Sequence, residues 1–282
     1  MKKIIVPTDF SETASHALDF AIDFNRKIKG EIILMHVVEL PSYTYSTMGE
    51  MEMGISGVDA ALQREYLKGI EEKLADWTER VSNEGQESRS VMRYGNPYQN
   101  ISKEIAKEKA NWIVMGSKGA SGLSEVFIGS NAERVVRHAE CPVFVIKGKT
   151  RIDDMKNIVF GSDLSEEQDL VAQKVKDIQE LLHLNVHLVK AKTPHNFLMA
   201  DAVEKQLEDF AKRNFLENYT LNSIEADYSD LGIIKFAEEV NAGLIVVGTH
   251  GKTGLAHLFG GSRAEDLVNE SKIPVLTFKI TL

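Results

Sequence analysis

The chain has 282 residues, a formal net charge of -9 and a pI near 5.5, which argues against a nucleic-acid or anionic-membrane surface, since both rely on a basic face. Its 43% hydrophobic and 27% charged residues are ordinary for a globular protein of about two domains, and no apolar run approaches the ~18 residues of a membrane span. The single cysteine, Cys141, cannot form an internal disulfide and fits a reducing compartment. Met1-Lys-Lys-Ile-Ile-Val-Pro7 enters a strand-like run with no signal-peptide layout, so a cytoplasmic location is expected.

Lys2 to Val6 reads as a short apolar strand ending in Pro7-Thr8-Asp9. The helix after it opens Asp9-Phe-Ser-Glu12, with Asp9 as expected N-cap, and carries Ala14, Ala17, Leu18, Ala21 and Ile22 at helical spacing. Glu31 to Val38 reads as a second strand, buried on both faces because its apolar run is too continuous for one wet side. Residues 41 to 60, with Pro41, Met48, Met51 and Met53, read as a mobile loop, followed by a long helix from about Ala61 to Asn83. A third strand (Ser88 to Tyr94), a third helix (Asn100 to Ala110) and a fourth strand (Asn111 to Met115) come next. The fifth strand, Val143 to Ile146, follows Cys141-Pro142, where Cys141 reads as a buried small hydrophobe.

The fourth strand runs into Gly116-Ser117-Lys118-Gly119, and nine residues later comes Gly129-Ser130. The second half repeats this as Gly248-Thr249-His250-Gly251, nine residues, then Gly261-Ser262. Each copy opens a helix with a capping-box pattern, Ser130-Asn-Ala-Glu133 and Ser262-Arg-Ala-Glu265. A strand, a glycine-rich turn and a helix N-terminus in succession cradle an anion, because backbone N–H groups approach it and the helix end adds positive partial charge. Two phosphate-binding loops are therefore expected, one per half.

Ile158 to Glu166 matches Ile4 to Glu12 at an offset of 154, while the glycine loops match at 132, so the second half lacks 22 residues (154 minus 132) in its middle. The boundary falls in the polar, unpatterned stretch near Lys149 to Met155, giving domains 1-148 and 155-282. Alternating strands and helices imply a parallel sheet with right-handed crossovers, covered on both faces. Ligands of such sheets bind beyond the strands' carboxyl ends where the winding reverses, which is where Asp9 and Gly116 fall if strands one and four are neighbours.

Pro-Thr-Asp-Phe-Ser-Glu after strand one, His36-Val37 ending strand two, the Gly-x2-Gly-x9-Gly-Ser loop, and Arg137-His138-Ala139-Glu140-Cys141-Pro142 before strand five resemble the universal stress protein family. The resemblance covers the chain as a tandem pair. It implies two α/β domains, flavodoxin-like or Rossmann-like, with strand order 3-2-1-4-5, that bind ATP or AMP. By position it implies that Asp9 and Val37 face the adenosine, Gly116, Ser117 and Gly119 the ribose and first phosphate, and Gly129, Ser130 and Asn131 the outer phosphates. Pro7, Thr8, Met115 and Gly122 complete the first candidate site. Ser162, Asp163, Ala191, Gly248, Thr249, Gly251, Gly254, Gly261, Ser262 and Arg263 make up the second. Mg2+ would sit among the phosphates, with Asp9 reached through a bound water. The resemblance further implies an internal pseudo-dimer through the fifth strands, Val143 to Ile146 against Val275 to Phe278, and leaves a homodimer of the chain open.

Asp9, Asp163, Ser130 and Ser262 can also be plain helix caps, and the glycines can serve positive φ alone. The two candidate sites differ: Gly161-Ser162 replaces Pro7-Thr8 and Ala191 stands for Val37, while His250, Lys252, His257 and Arg263 favour phosphate over Lys118 and Glu125. Gly251-Lys252-Thr253 lacks the upstream glycine of a Walker loop, no Gly-x-Gly-x-x-Gly follows strand one, and no Gly-x-Ser-x-Gly elbow occurs. His183 and His187 are not expected to share a helical metal face, because His187 falls in a strand. No side chain stands out as a base for water, so a regulatory nucleotide-binding protein with little turnover is the expectation, with a slow ATPase or a nucleotide-free interaction module as alternatives.

Overall fold

The computed structural model of the chain describes residues 1–39, 57–117, 130–194, 200–250, 267–268 and 271–280. The first half contains β1 (Lys3–Pro7), α1 (Glu12–Ile28), β2 (Glu31–Val38), α2 (Gly57–Asn83), β3 (Glu87–Tyr94), α3 (Pro97–Glu108), β4 (Trp112–Gly116), α4 (Ser130–His138) and β5 (Val143–Ile146). The second contains β6 (Asn157–Gly161), α5 (Asp169–Leu182), β7 (Asn185–Lys192), α6 (Ala200–Arg213), β8 (Tyr219–Glu225), α7 (Ser229–Glu239), β9 (Leu244–His250) and β10 (Val275–Ile280). The ten strands among the described residues lie in one sheet of order β3-β2-β1-β4-β5-β10-β9-β6-β7-β8. Each half is thus a 3-2-1-4-5 doubly wound unit, whose crossovers reverse between its first and fourth strands.

Neighbouring strands are parallel except at the centre, where β5 and β10 run antiparallel with Val143 opposite Thr277 and Val145 opposite Val275. This is the strand-five pairing that the family resemblance implies. Side chains alternate across the buried strands: Ile4 and Val6 enter one apolar layer and Ile5 the other. The first layer, under α1, α2, α5 and α6, and the second, under α3, α4 and α7, both run through the two halves, so the core is continuous across the junction. At about 25 cal/mol per Å² of apolar area removed from water, that continuity ties the halves together more firmly than three ladder positions could.

Three segments depart from the sequence reading. α2 begins at Gly57, inside the stretch read as loop, and the Met48, Met51 and Met53 part of that stretch lies outside the described residues. α3 begins at Pro97 rather than Asn100, because Asn96 is its N-cap, accepting from the Gln99 N–H at 3.0 Å, and proline suits the first helical position. The junction read as unpatterned holds a 3-10 turn, Ile152–Asp154, whose Ile152 and the following Met155 are buried in the first layer. The Lys147 ammonium reaches across the junction to donate to the Val268 carbonyl.

Candidate functional site

The winding reverses between β1 and β4, and there the two structural ends are pressed together. A Cβ added to Gly116 would stand 2.9 Å from the Thr13 carbonyl carbon and 3.1 Å from the Ala14 backbone nitrogen. Gly116 and Gly248 thus allow the first turn of α1 or α5 to close on the strand carrying the loop. Neither has positive φ, so the alternative that these two glycines serve positive φ alone does not hold, and close packing is what each position requires.

The turn after β1 is built from side chains. The Thr8 N–H donates to the Met35 carbonyl at 2.8 Å, continuing the strand pairing, while the Thr8 Oγ1 accepts from the Phe10 N–H at 2.9 Å. The Asp9 Oδ1 accepts from the Ser11 N–H at 3.0 Å, and the Ser11 Oγ accepts from the Ala14 N–H at 3.2 Å. Ser11 is therefore the N-cap of α1, and Asp9 makes an Asx turn two residues earlier. These bonds hold Phe10 at φ 63°, a left-handed conformation that a bulky residue adopts only when its surroundings over-determine it.

The same turn is built again after β6. The Ser162 Oγ accepts from the Leu164 N–H at 3.0 Å, the Asp163 Oδ1 accepts from the Ser165 N–H at 2.9 Å, and Leu164 has φ 67°. Asp163 is not a helix cap either, since Ser165 holds the cap position of the 3-10 turn that opens α5. Replacement of Thr8 by Ser162 keeps the hydroxyl acceptor, so it changes less than its sequence suggests.

Around these turns the candidate residues fall as follows. Pro7 ends β1 opposite Met35, and Val37 lies in β2, half-buried against the second layer. Met115 is buried opposite Val145, Gly116 pairs with Ile146, and the Ser117 N–H donates to the Ile146 carbonyl at 3.0 Å. Ser130 begins α4, with half-buried Asn131 next, and Glu133 pairs with Arg137 at 3.2 Å. In the second half Ala191 is buried opposite Ile224, Gly248 pairs with Phe278, and the fully buried Thr249 donates its hydroxyl to the Phe278 carbonyl at 3.3 Å. Gly119, Gly122, Gly129, Gly251, Gly254, Gly261, Ser262 and Arg263 lie outside the described residues, as do Lys118, Glu125, Lys252 and His257.

Each turn rests on a side chain from the neighbouring strand to which the sequence reading gave no role. The ring of His36 shares a 2.8 Å hydrogen bond between Nδ1 and the Thr8 carbonyl and stacks on Phe10 with centroids 4.8 Å apart. Trp77 of α2 meets Phe10 edge-on with centroids 5.5 Å apart, and the Lys73 ammonium lies 5.5 Å from the same ring. Lys190 stands where His36 does, 154 residues on, and its Nζ donates to the Asp163 carbonyl at 2.7 Å. Burial pushes the Lys190 ammonium below the ordinary lysine range, with Asp163 opposing the shift. Aligning the two halves at that offset would have picked out both residues.

Other expectations stand apart from the site. His183 caps the end of α5 in a left-handed conformation while His187 lies in β7 beside Thr220, so they share no helical face. Burial raises the Cys141 thiol to about 12, which makes it an inert core group. Among the described residues, no three His, Cys, Asp or Glu side chains gather to hold a metal, and no helix is long and apolar enough to cross a membrane.

Comparison with known proteins accounts for the duplication. A sequence model described as the universal stress protein family matches residues 1–147 and again 155–279. A universal stress protein of Methanocaldococcus jannaschii is 33% identical over 147 residues, covering 52% of this chain and 82% of that protein. One from Synechocystis matches from end to end, 23% identical over 296 residues, with 99% of this chain and all of that protein covered. The crystal structure of a universal stress protein from Archaeoglobus fulgidus shares the fold with a TM-score of 0.76 at 21% identity, over 99% of this chain and 98% of that one.

Proposed function

Because the chain belongs to the universal stress protein family, with one copy in each half, we propose that each half, 1-148 and 155-282, binds one adenine nucleotide, ATP or AMP. The chain would then act as a stress-linked regulatory protein of the cytoplasm. The observation that carries this reading is the twice-built turn of Thr8 to Ser11 and Ser162 to Ser165, set against the strand that leads into a glycine loop. A left-handed bulky residue at the end of a buried strand is costly, and its recurrence with different side chains is what a binding function would retain.

In this reading the carboxylates of Asp9 and Asp163 meet the nucleoside, with Val37 and Ala191 against the base. The backbone N–H groups after Gly116 and Gly248, with the N-terminus of α4 at Ser130, take the phosphates. Mg2+ would enter with the phosphates and neutralise their charge. The activity proposed is binding, with hydrolysis at most slow.

Native mass spectrometry of the purified chain, followed by titration calorimetry with ATP and AMP, tests this. Two nucleotides per chain of unequal affinity are expected. Asp9→Asn and Asp163→Asn keep an oxygen acceptor for the Asx turn while removing the charge, so each should weaken its own site about tenfold and leave the other alone. One nucleotide per chain would sink the two-site reading. A protein that ignores both nucleotides would be an interaction module, and steady phosphate release lost in Asp9→Asn would make it an ATPase.

A further inference from the structure

Among the described residues, the two halves differ on the far side of the strand-one turn, between it and the helix that packs over it. β3 and β8 begin 132 residues apart (219 minus 87), so at the same offset Leu74 and Trp77 of α2 correspond to Gln206 and Asp209 of α6. In the first half this space is filled by the Phe10, His36 and Trp77 rings. In the second half the corresponding residues are Leu164, Lys190 and Asp209, and they leave a cavity of about 340 Å³ whose wall also includes Asp163, Gln206 and Arg213. That volume lies at the small end of small-molecule sites.

The lining is chemically specific. Lys190 forms the floor: only 8% exposed, it makes one hydrogen bond at 2.7 Å to the Asp163 carbonyl. A buried ammonium with room for further acceptors is costly in a position where the other half uses an aromatic ring, so the fold does not demand it. Arg213 stands at the rim, held by Asp169, with its Nε at 2.9 Å and an Nη at 2.8 Å from the carboxylate, while another edge of the groove is the carboxylate of exposed Asp209. Lys190 is thus the buried cation of the lining, Asp163 and Asp209 are its two acids, and the charge of Arg213 is already met by Asp169. A lining with a cation buried within and an acid at its exposed edge matches a molecule that carries both charges.

We infer that the groove between the β6–α5 turn and α6 is a second ligand site, for a small zwitterion of the amino-acid class that enters carboxylate first onto Lys190 and leaves its ammonium at Asp209. The site shares Asp163 with the second nucleotide site proposed above but is otherwise made of other residues, and it stands whether or not the glycine loops bind nucleotide.

Titration calorimetry and thermal melting of the full chain with glycine, 4-aminobutanoate and 6-aminohexanoate, alongside butanoate and butylamine, test it. At least one zwitterion should bind with a Kd of about 1 mM or tighter, and the singly charged controls at least tenfold more weakly. Asp209→Asn, at an exposed position that cannot unfold the protein, should weaken the zwitterion about tenfold, and Lys190→Met should abolish it. The triple change Leu164→Phe, Lys190→His, Asp209→Trp copies the first half into the groove. It should keep the fold, judged by circular dichroism, and remove binding. Failure of all three zwitterions, equal binding of the controls, or binding that persists in Asp209→Asn and the triple variant would each overturn the site.

Discussion

The turn after β1 and the turn after β6 have the same backbone and opposite surroundings. Thr8, Asp9, Phe10 and Ser11 repeat as Ser162, Asp163, Leu164 and Ser165, with the same two side-chain acceptors and the same left-handed third residue. Behind the first lies a stack of rings, and behind the second a buried ammonium and an open polar groove. What duplication has kept is therefore the device that presents the strand end, while the packing beneath has been free to change. A backbone fixed by its own side chains does not depend on what supports it from below.

The largest test of that difference is Trp77→Ala set against Asp209→Ala. Removing the half-buried indole takes away the edge contact to Phe10 and should cost about 3 kcal/mol in urea unfolding. Removing exposed Asp209 should stay within about 0.5 kcal/mol. Equal costs at the two positions would mean that the second groove is packed in solution as tightly as the first.

Next comes the glycine at the end of the fourth strand of each half. A methyl group at Gly116 meets backbone atoms of Thr13 and Ala14, which can yield only if α1 moves, so Gly116→Ala should cost about 2–3 kcal/mol. At Gly248 the methyl group meets the tips of Ile280, Gln168 and Val171 side chains at 2.7 to 3.0 Å, which can rotate, and the cost should be about 1 kcal/mol. Circular dichroism melts distinguish these, and a reversed order would show that the second helix sits closer than the first.

The turns themselves should respond alike. Thr8→Val and Ser162→Ala each strand one backbone N–H, at Phe10 and Leu164, for about 1 kcal/mol, the buried Leu164 nearer 2. A cost in only one half would break the claim that the device is shared.

Much of this was open to sequence reading. Buried parallel strands announce themselves as continuous apolar runs, and Glu31–Val38 and Val143–Ile146 match the expected limits. The repeat of the glycine spacing exposed the tandem organisation. The turn was misread because Asp followed three residues later by Glu satisfies the same pattern as a cap, whereas the hydroxyl of Ser11 was two residues closer to the helix. Left-handed Phe10 and Leu164 were hidden because nothing in a bulky apolar residue signals positive φ; the constraint comes from Thr8 and Asp9 beside it. Ile152 and Met155 looked like parts of a linker because two isolated apolar residues have no period, and only the shared core gives them a place. The groove at Lys190 needed two alignments at once, 154 at the turn and 132 at the helix, before a ring and a charge could be seen to exchange.

The smallest test concerns the opposite end of the strands, where the halves again solve one problem differently. In the first half Lys3 of β1 is tied to Glu108 at the end of α3 by an ion pair at 2.7 Å, joined by Arg89 at 2.7 Å. The corresponding residues of the second half, by the same two offsets, are Asn157 and Val240, and there the Asn157 amide donates to the Val240 carbonyl at 3.1 Å. A charged tie and a neutral tie hold equivalent ends. The hydrogen bond from Lys3, followed by the charge of Arg89, depresses the Glu108 carboxyl to about 2 from an ordinary 4.5, against the opposing effect of burial. A depressed carboxylate stabilises the fold fully above the unfolded value and loses that contribution as pH falls from about 4.5 through about 2. Between pH 5 and pH 2 the wild type should therefore lose about 1 kcal/mol more stability than Glu108→Gln, the figure being kept low because Lys3 and Arg89 are partly exposed to screening solvent. Asn157→Ala should shift the whole curve without changing its slope with pH, since neither partner of that bond titrates. Parallel acid slopes for wild type and Glu108→Gln would show that the ion pair contributes nothing that the neutral bond of the other half does not.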